Sequence, residues 1–134
     1  MPVTRTETLE LRSAADVVSV RQAVRTWAIE AGFSLVDQTK MVTAASELAR
    51  NTIDYGGGGT ATLDLIIEGP RRGLRVVFED TGPGIADIQQ AMTDHFTTGN
   101  GLGLGLGGAK RLVNEFNISS GVGEGTRVVI TRWK

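Results

Sequence analysis

Residues 101–108 read Gly-Leu-Gly-Leu-Gly-Leu-Gly-Gly, five glycines in eight positions. Glycine in a helix interior costs roughly 1 kcal/mol relative to alanine, so a run like this is a poor choice for an ordinary helix or strand. Two needs account for it: backbone at positive φ, or backbone packed closely against another group. Leading into a helix, its exposed amides form a cradle for an anion, which raises the prospect of a nucleotide. Glycine is also the compositional outlier, 18 of 134 residues, roughly twice the usual ~7 %. Most of the excess falls in clusters at 56–59, 82–84, 99–108 and 121–125, which points to specific loops rather than a flexible chain.

The remaining composition excludes more than it specifies. One domain spanning 1–134 is expected at this length, with enough core to bury roughly two-thirds of the unfolded surface. Fourteen basic and fifteen acidic residues nearly cancel, so no field draws nucleic acid or a membrane surface nonspecifically. The absence of cysteine removes disulfide and thiolate-metal frameworks, and a single histidine leaves little basis for zinc. There is no secretory leader and no long apolar run, so a cytoplasmic, soluble protein is expected.

Taken in order, residues 4–11 alternate as a short strand. Ser13 and Asp16 have capping-box spacing before Val17, Val20, Val24, Trp27 and Ala31, a helical stripe that Gly32 ends. Arg21 and Arg25 lie one turn apart on that helix, either a solvated face or a partner-binding surface. Ser34 and Asp37 repeat the capping pattern and open a second helix to about Asp54, with Met41, Ala44 or Ala45, Leu48 and Thr52 as its apolar stripe. Thr43, Glu47, Asn51 and Asp54 share another face, where Glu47 and Asn51 project side by side. The glycines at 56–59 read as a flexible turn.

Strands are expected at 60–68 and 74–79, joined by a 69–73 hairpin connection, with Asp80 at a strand end. Residues 85–92 read as a short helix and 94–100 as a polar lid. After the glycine array come a helix at 109–116 and strands at 117–120 and 127–133. This order suits an α+β two-layer sandwich, a mostly antiparallel mixed sheet with helices on one face. It does not suit a doubly wound nucleotide fold.

Neither familiar phosphate loop fits the array. GxGxxG needs a strand directly before it, and a P-loop needs Gly-Lys followed by Ser or Thr, whereas Lys110 is followed by Arg111. A different set works together. Asn51 offers an oxygen to Mg²⁺, and Glu47 can accept a proton from a hydroxyl nucleophile. Asp80 can accept a hydrogen bond from the adenine amino group, with Gly82 and Gly84 letting the chain pass close to the base. The 101–108 amides would surround the phosphates. Lys110 adds charge there or simply faces solvent.

Four segments then resemble, in order, the boxes of the GHKL (histidine-kinase-like) ATPases. Glu47-Leu48-Ala49-Arg50-Asn51 resembles the N-box, and Asp80-Thr81-Gly82-Pro83-Gly84 the DxGxG box. Residues 101–108 resemble the second glycine box, and Gly123-Glu124-Gly125-Thr126 the closing GxGT element. The resemblance implies a Bergerat-type ATP-binding fold with ATP and Mg²⁺ as cofactors. Within the superfamily, the ELARN form and the run from Gly101 to Leu112 look most like the RsbT-type switch serine/threonine kinases of bacterial stress signalling.

That likeness implies phosphorylation of a STAS-domain antagonist protein of the stressosome and activation of a PP2C-type phosphatase. By motif, Asn51 would bind Mg²⁺, Glu47 would be the base and Asp80 would contact adenine, supported by Thr126. Gly82, Gly84, Gly101, Leu102, Gly103, Leu104, Gly105, Gly107, Gly108 and Lys110 would line the nucleotide. Relatives that hold a sigma factor directly share the boxes, so sequestration of a sigma factor is the alternative; a homodimer stays open. The 94–100 lid carries no arginine to reach the γ-phosphate, leaving Lys110 or Arg111 as substitutes. His95 is expected exposed, Trp27 and Trp133 in or near the core, and Arg71 and Arg72 at a solvated hairpin tip. The 94–108 segment is expected to be poorly ordered without nucleotide.

Overall fold

The computed structural model describes residues 3–85, 87, 88, 92 and 106–134. The lid with His95 and the array positions Gly101, Leu102, Gly103, Leu104 and Gly105 lie outside the described residues, as does the expectation about their order.

Strand β1 (Val3–Leu11) leads into helices α1 (Ala14–Glu30) and α2 (Leu35–Asp54). Both helix starts form where the capping residues stand. The Asp16 carboxylate accepts from the Ser13 and Arg12 N–H groups at 3.1 and 2.8 Å. Ser34 Oγ accepts from Asp37 N at 3.2 Å, using donors that the first turn leaves free. Strands β2 (Gly59–Glu68) and β3 (Arg71–Asp80), helix α3 (Leu106–Arg111) and strands β4 (Glu115–Gly121) and β5 (Gly125–Trp133) complete the described elements.

The five strands order as β1-β2-β3-β5-β4, and all four pairings are antiparallel. Leu63, Val76, Ile130 and Phe116 form one cross-strand row beneath the helices. Val20, Val24, Trp27 and Ala28 of α1 and Met41, Ala44, Ala45 and Leu48 of α2 cover that face and are buried. Full burial of each large apolar side chain contributes roughly 1.5–3 kcal/mol, which makes this interface the main source of stability. The opposite sheet face carries Asp64 and Arg75 in register, Arg75 giving both Nε and Nη2 to one carboxylate oxygen at 3.1 and 2.9 Å.

Two boundaries differ from expectation. The β2–β3 connection is only Gly69-Pro70, with Gly69 at φ 58° as the first central residue of a two-residue hairpin. Gly73 is therefore a strand residue: a Cβ there would lie 2.7 Å from the Trp133 ring, so it is small for packing and not for turning. Arg71, though exposed, lies over that ring at 4.0 Å from its centroid.

Helix α3 ends at Arg111, not near residue 116, and Glu115 and Phe116 belong to β4. Phe116 suited a helical stripe as well as a period-two strand with Ile118. Sheet pairing decides the matter, since Asn114 N donates to Thr131 O and Asn114 Oδ1 accepts Trp133 N. Arg132, facing the helix layer, donates to Leu112 O at 2.9 Å and to Asp37 at 2.6 Å, tying the α3 exit to the start of α2. The Arg132 hydrogen bond holds the Asp37 carboxyl below its ordinary value. Arg21 and Arg25 line a groove on the outer face of α1 with Val18, Ile29 and Val42. No helix among the described residues is long and apolar enough to cross a membrane.

Candidate active site

Buried Leu48 and Thr52 seat α2 on the sheet and thereby fix which way its polar face looks. Asn51 emerges into a pocket that it lines with Leu48, Thr52, Tyr55, Phe78, Asp80, Ile85, Leu106, Thr126 and Val128. The second helix, the end of β3, the start of α3 and the start of β5 thus bring Asn51, Asp80 and Thr126 together. Asp80 and Thr126 are directly paired across β3 and β5. The free volume between these walls is about 20 Å³, room for a water, with Ile85 and Leu106 closing the apolar side.

Glu47 is not among the pocket-lining residues. It sits one helical turn before Asn51, half-exposed, with its carboxylate 3.5 Å from Arg50 Nη1. A contact of that length and exposure is weak and leaves the carboxylate able to reorient. Lys110 is exposed on α3, and Gly107 and Gly108 fall in the same helix.

Asp80 is held from two sides. Its Oδ1 accepts the Gly82 N–H at 2.9 Å, the bond that fixes the turn after β3. Burial pushes its pKa above the ordinary aspartate value, opposed by the backbone N–H groups of Gly82 and Thr126. Gly56 makes the space for the carboxylate: a Cβ there would fall 2.3 Å from Asp80 Cγ. The 56–59 segment is accordingly not a flexible turn. The Gly56, Gly57 and Gly58 amides donate back to the Asn51, Ile53 and Thr52 carbonyls, satisfying the end of α2.

Three of the four glycine clusters meet here. Gly82 lies against Gly56, where a Cβ would come 2.6 Å from the Gly56 carbonyl oxygen. Gly84 lies against Gly121, and the Gly123 N–H donates to Pro83 O at 2.8 Å. Gly84→Ala is expected to be destabilising by about 3 kcal/mol, because φ is 77° and the new Cβ would stand 1.9 Å from Gly121 O. Urea unfolding measures this; a loss below about 1 kcal/mol would show that the two loops separate freely.

Tyr55 and Ser120 were not picked out from the sequence. Tyr55 Oη donates to Gly84 O at 2.9 Å and lines the pocket, and its i+4 spacing from Asn51 was a usable signal. Ser120 Oγ accepts the Ile85 N–H at 2.7 Å, donates to Gly125 O at 2.9 Å and lies 2.8 Å from Thr126 Oγ1. It faces Thr126 across the β4–β5 hairpin, a position readable only once the register is known.

A two-layer sandwich with a carboxylate, an amide oxygen and a hydroxyl converging at the glycine loops defines a class. Residues 36–134 match the histidine kinase-, DNA gyrase B- and HSP90-like ATPase family, and the chain belongs to it. It is 46 % identical over 118 residues to serine/threonine-protein kinase RsbT of Bacillus subtilis (strain 168), covering 88 % of this chain and 89 % of that protein. The anti-sigma F factor of Anoxybacillus flavithermus (strain DSM 21510 / WK1) is 31 % identical over 106 residues, 74 % of this chain and 71 % of that one.

The histidine kinase domain of an Erythrobacter litoralis blue-light activated histidine kinase shares the fold at TM-score 0.50 and 22 % identity. That likeness covers 88 % of this chain, which spans 59 % of the length of the solved domain. The chain is a GHKL ATPase of the RsbT and anti-sigma-factor-like kinase group. These relationships support serine/threonine kinase activity and a role in partner-switching signalling.

Proposed function

We propose that this chain transfers the γ-phosphoryl group of ATP to a serine or threonine of a STAS-domain antagonist protein in the cytoplasm, and activates a PP2C-type phosphatase by binding it. The observation that carries this reading is the convergence of Asn51, Asp80 and Thr126 on one pocket, in a chain 46 % identical to a serine/threonine kinase. Asp80 and Thr126 would receive the adenine edge, with Ile85 and Leu106 moving apart to admit the ring. Gly82, Gly84, Lys110 and the glycine array from Gly101 to Gly108 would line the phosphates.

The residues fit the ligand. At Gly108 a Cβ would meet nothing within 4 Å among the described residues, and φ is not positive, so neither packing against those residues nor backbone strain explains that glycine. Room for a phosphate against bare backbone does. Among the described residues no group of three or more His, Cys, Asp or Glu could hold a metal. A cation held by Asn51 together with phosphate oxygens matches what Mg²⁺ prefers over an all-protein cage. Bound Mg²⁺ would neutralise the charge that develops on the phosphoryl oxygens. Asn51 would hold that ion, Glu47 would accept the proton of the attacking hydroxyl, and the pocket walls would exclude water from the base.

The test is incubation with labelled ATP, Mg²⁺ and STAS-domain proteins from the same genome. Label on a STAS-domain serine or threonine is the expected result. The identity to an anti-sigma F factor favours one alternative, sequestration of a sigma factor with nucleotide as a regulatory ligand. Tight sigma-factor binding without any transfer of label would replace the kinase reading with that one.

A further inference from the structure

Ser120 has one proton and two lone pairs, and three neighbours stand within hydrogen-bond distance of its Oγ. The Ile85 N–H can only donate, at 2.7 Å, and takes one lone pair. The Gly125 carbonyl can only accept, at 2.9 Å, and takes the proton. What remains for Thr126, at 2.8 Å, is the second lone pair. The Thr126 hydroxyl must therefore donate to Ser120. The reverse polarity would set the Ser120 oxygen lone pair against the Gly125 carbonyl at 2.9 Å and leave two partners competing for one proton.

This has a consequence for the pocket. With its proton turned toward Ser120, Thr126 presents only lone pairs to the space it shares with Asp80. We propose that Ser120 is a positioning residue that fixes the Thr126 hydroxyl as an acceptor, so that the base end of the site selects a 6-aminopurine over a 6-oxopurine. The proposal rests on the ATP reading given above and deepens it. Two acceptors side by side suit an exocyclic amine with two N–H donors, directly or through a bridging water. An oxygen at the same ring position would face lone pairs on both sides.

ATP and ITP differ only along that edge of the base, so the ratio of their affinities reads the polarity directly. Calorimetric titration with Mg²⁺ is expected to show wild-type preference for ATP. In Ser120→Ala the Thr126 proton is free to turn inward, and the ATP:ITP affinity ratio should fall about tenfold. Ser120→Thr keeps a hydroxyl and should retain the wild-type ratio. Thr126→Val removes the oriented group and should lower the ratio by itself, and adding Ser120→Ala to it should change the ratio less than about twofold.

If Ser120 only braced the loops, its loss would weaken both nucleotides equally. An unchanged ratio in Ser120→Ala would overturn the proposal, as would an unchanged ratio in Thr126→Val, which settles the matter even if the serine variant fails to fold. Wild-type protein that binds neither nucleotide would overturn the ATP reading itself. Wild-type preference with unaffected ratios would overturn only the role of Ser120.

Discussion

Asn51→Ala is expected to lower phosphoryl transfer by about 10³-fold while leaving the fold intact. The reason lies in what its backbone holds and in which neighbours bury against the sheet. Its backbone carbonyl accepts the Tyr55 and Gly56 N–H groups at 2.9 and 3.1 Å, contacts that any residue preserves. Leu48 and Thr52, not Asn51, bury against the sheet, and alanine is the better helix former. Loss of the amide removes a neutral carbonyl oxygen that α2 offers to a cation in this pocket. Charge stabilisation around a transferring phosphoryl group is typically worth 10³–10⁵ in rate, so a single ligand accounts for an effect at the lower end. Single-turnover transfer and urea unfolding, run on the same preparation, check both halves. Transfer within tenfold of wild type would take Asn51 out of the metal site.

Much of this arrangement was legible in the residues, for identifiable reasons. Helix starts were readable because Asp16 and Ser34 act locally, within four residues of the groups they satisfy. The face of β2 was readable because Leu63 stands between polar Thr62 and Asp64, and that of β3 because Leu74, Val76 and Phe78 recur at period two. The α3 boundary was not, because Phe116 satisfied both periods and the choice was made by β5, well away in sequence. Gly73 likewise read as a turn glycine, since nothing nearby announces Trp133.

The glycine clusters show the same division within the site. Their density signalled close backbone approach, but which loops approach one another is a tertiary fact. Gly56 makes room for Asp80, and Gly84 for Gly121, across separations that no local pattern encodes. Arg132 read as one residue of a strand face, yet it ties α2 to the exit of α3. The chemistry-bearing residues were easier to find than the residues that aim them.

Asp80→Asn should separate recognition from stability. Asparagine keeps an oxygen that can accept the Gly82 N–H, now bonded at 2.9 Å, so the turn after β3 has no reason to change. The other carboxylate oxygen becomes an amide N–H₂ and confronts the adenine amine donor-to-donor. Loss of one charge-assisted hydrogen bond, plus a mismatched donor, should weaken ATP binding by about 100-fold, roughly 2.7 kcal/mol.

The effect on folding runs the other way. Burial raises the Asp80 pKa above its unfolded value, so the folded state binds this proton more readily than the unfolded state does. The ionised carboxylate therefore costs stability above the folded pKa, and that cost is released as pH falls through it. The asparagine variant should equal or exceed wild type in urea unfolding at neutral pH, and any advantage should shrink toward acid. ATP affinity of the wild type should fall over the same raised range, above the ~3.9 of an ordinary aspartate. ATP binding by Asp80→Asn within threefold of wild type would remove Asp80 from base recognition. A variant that binds poorly yet unfolds no more easily would mean that the carboxylate is retained for the ligand, against the preference of the fold.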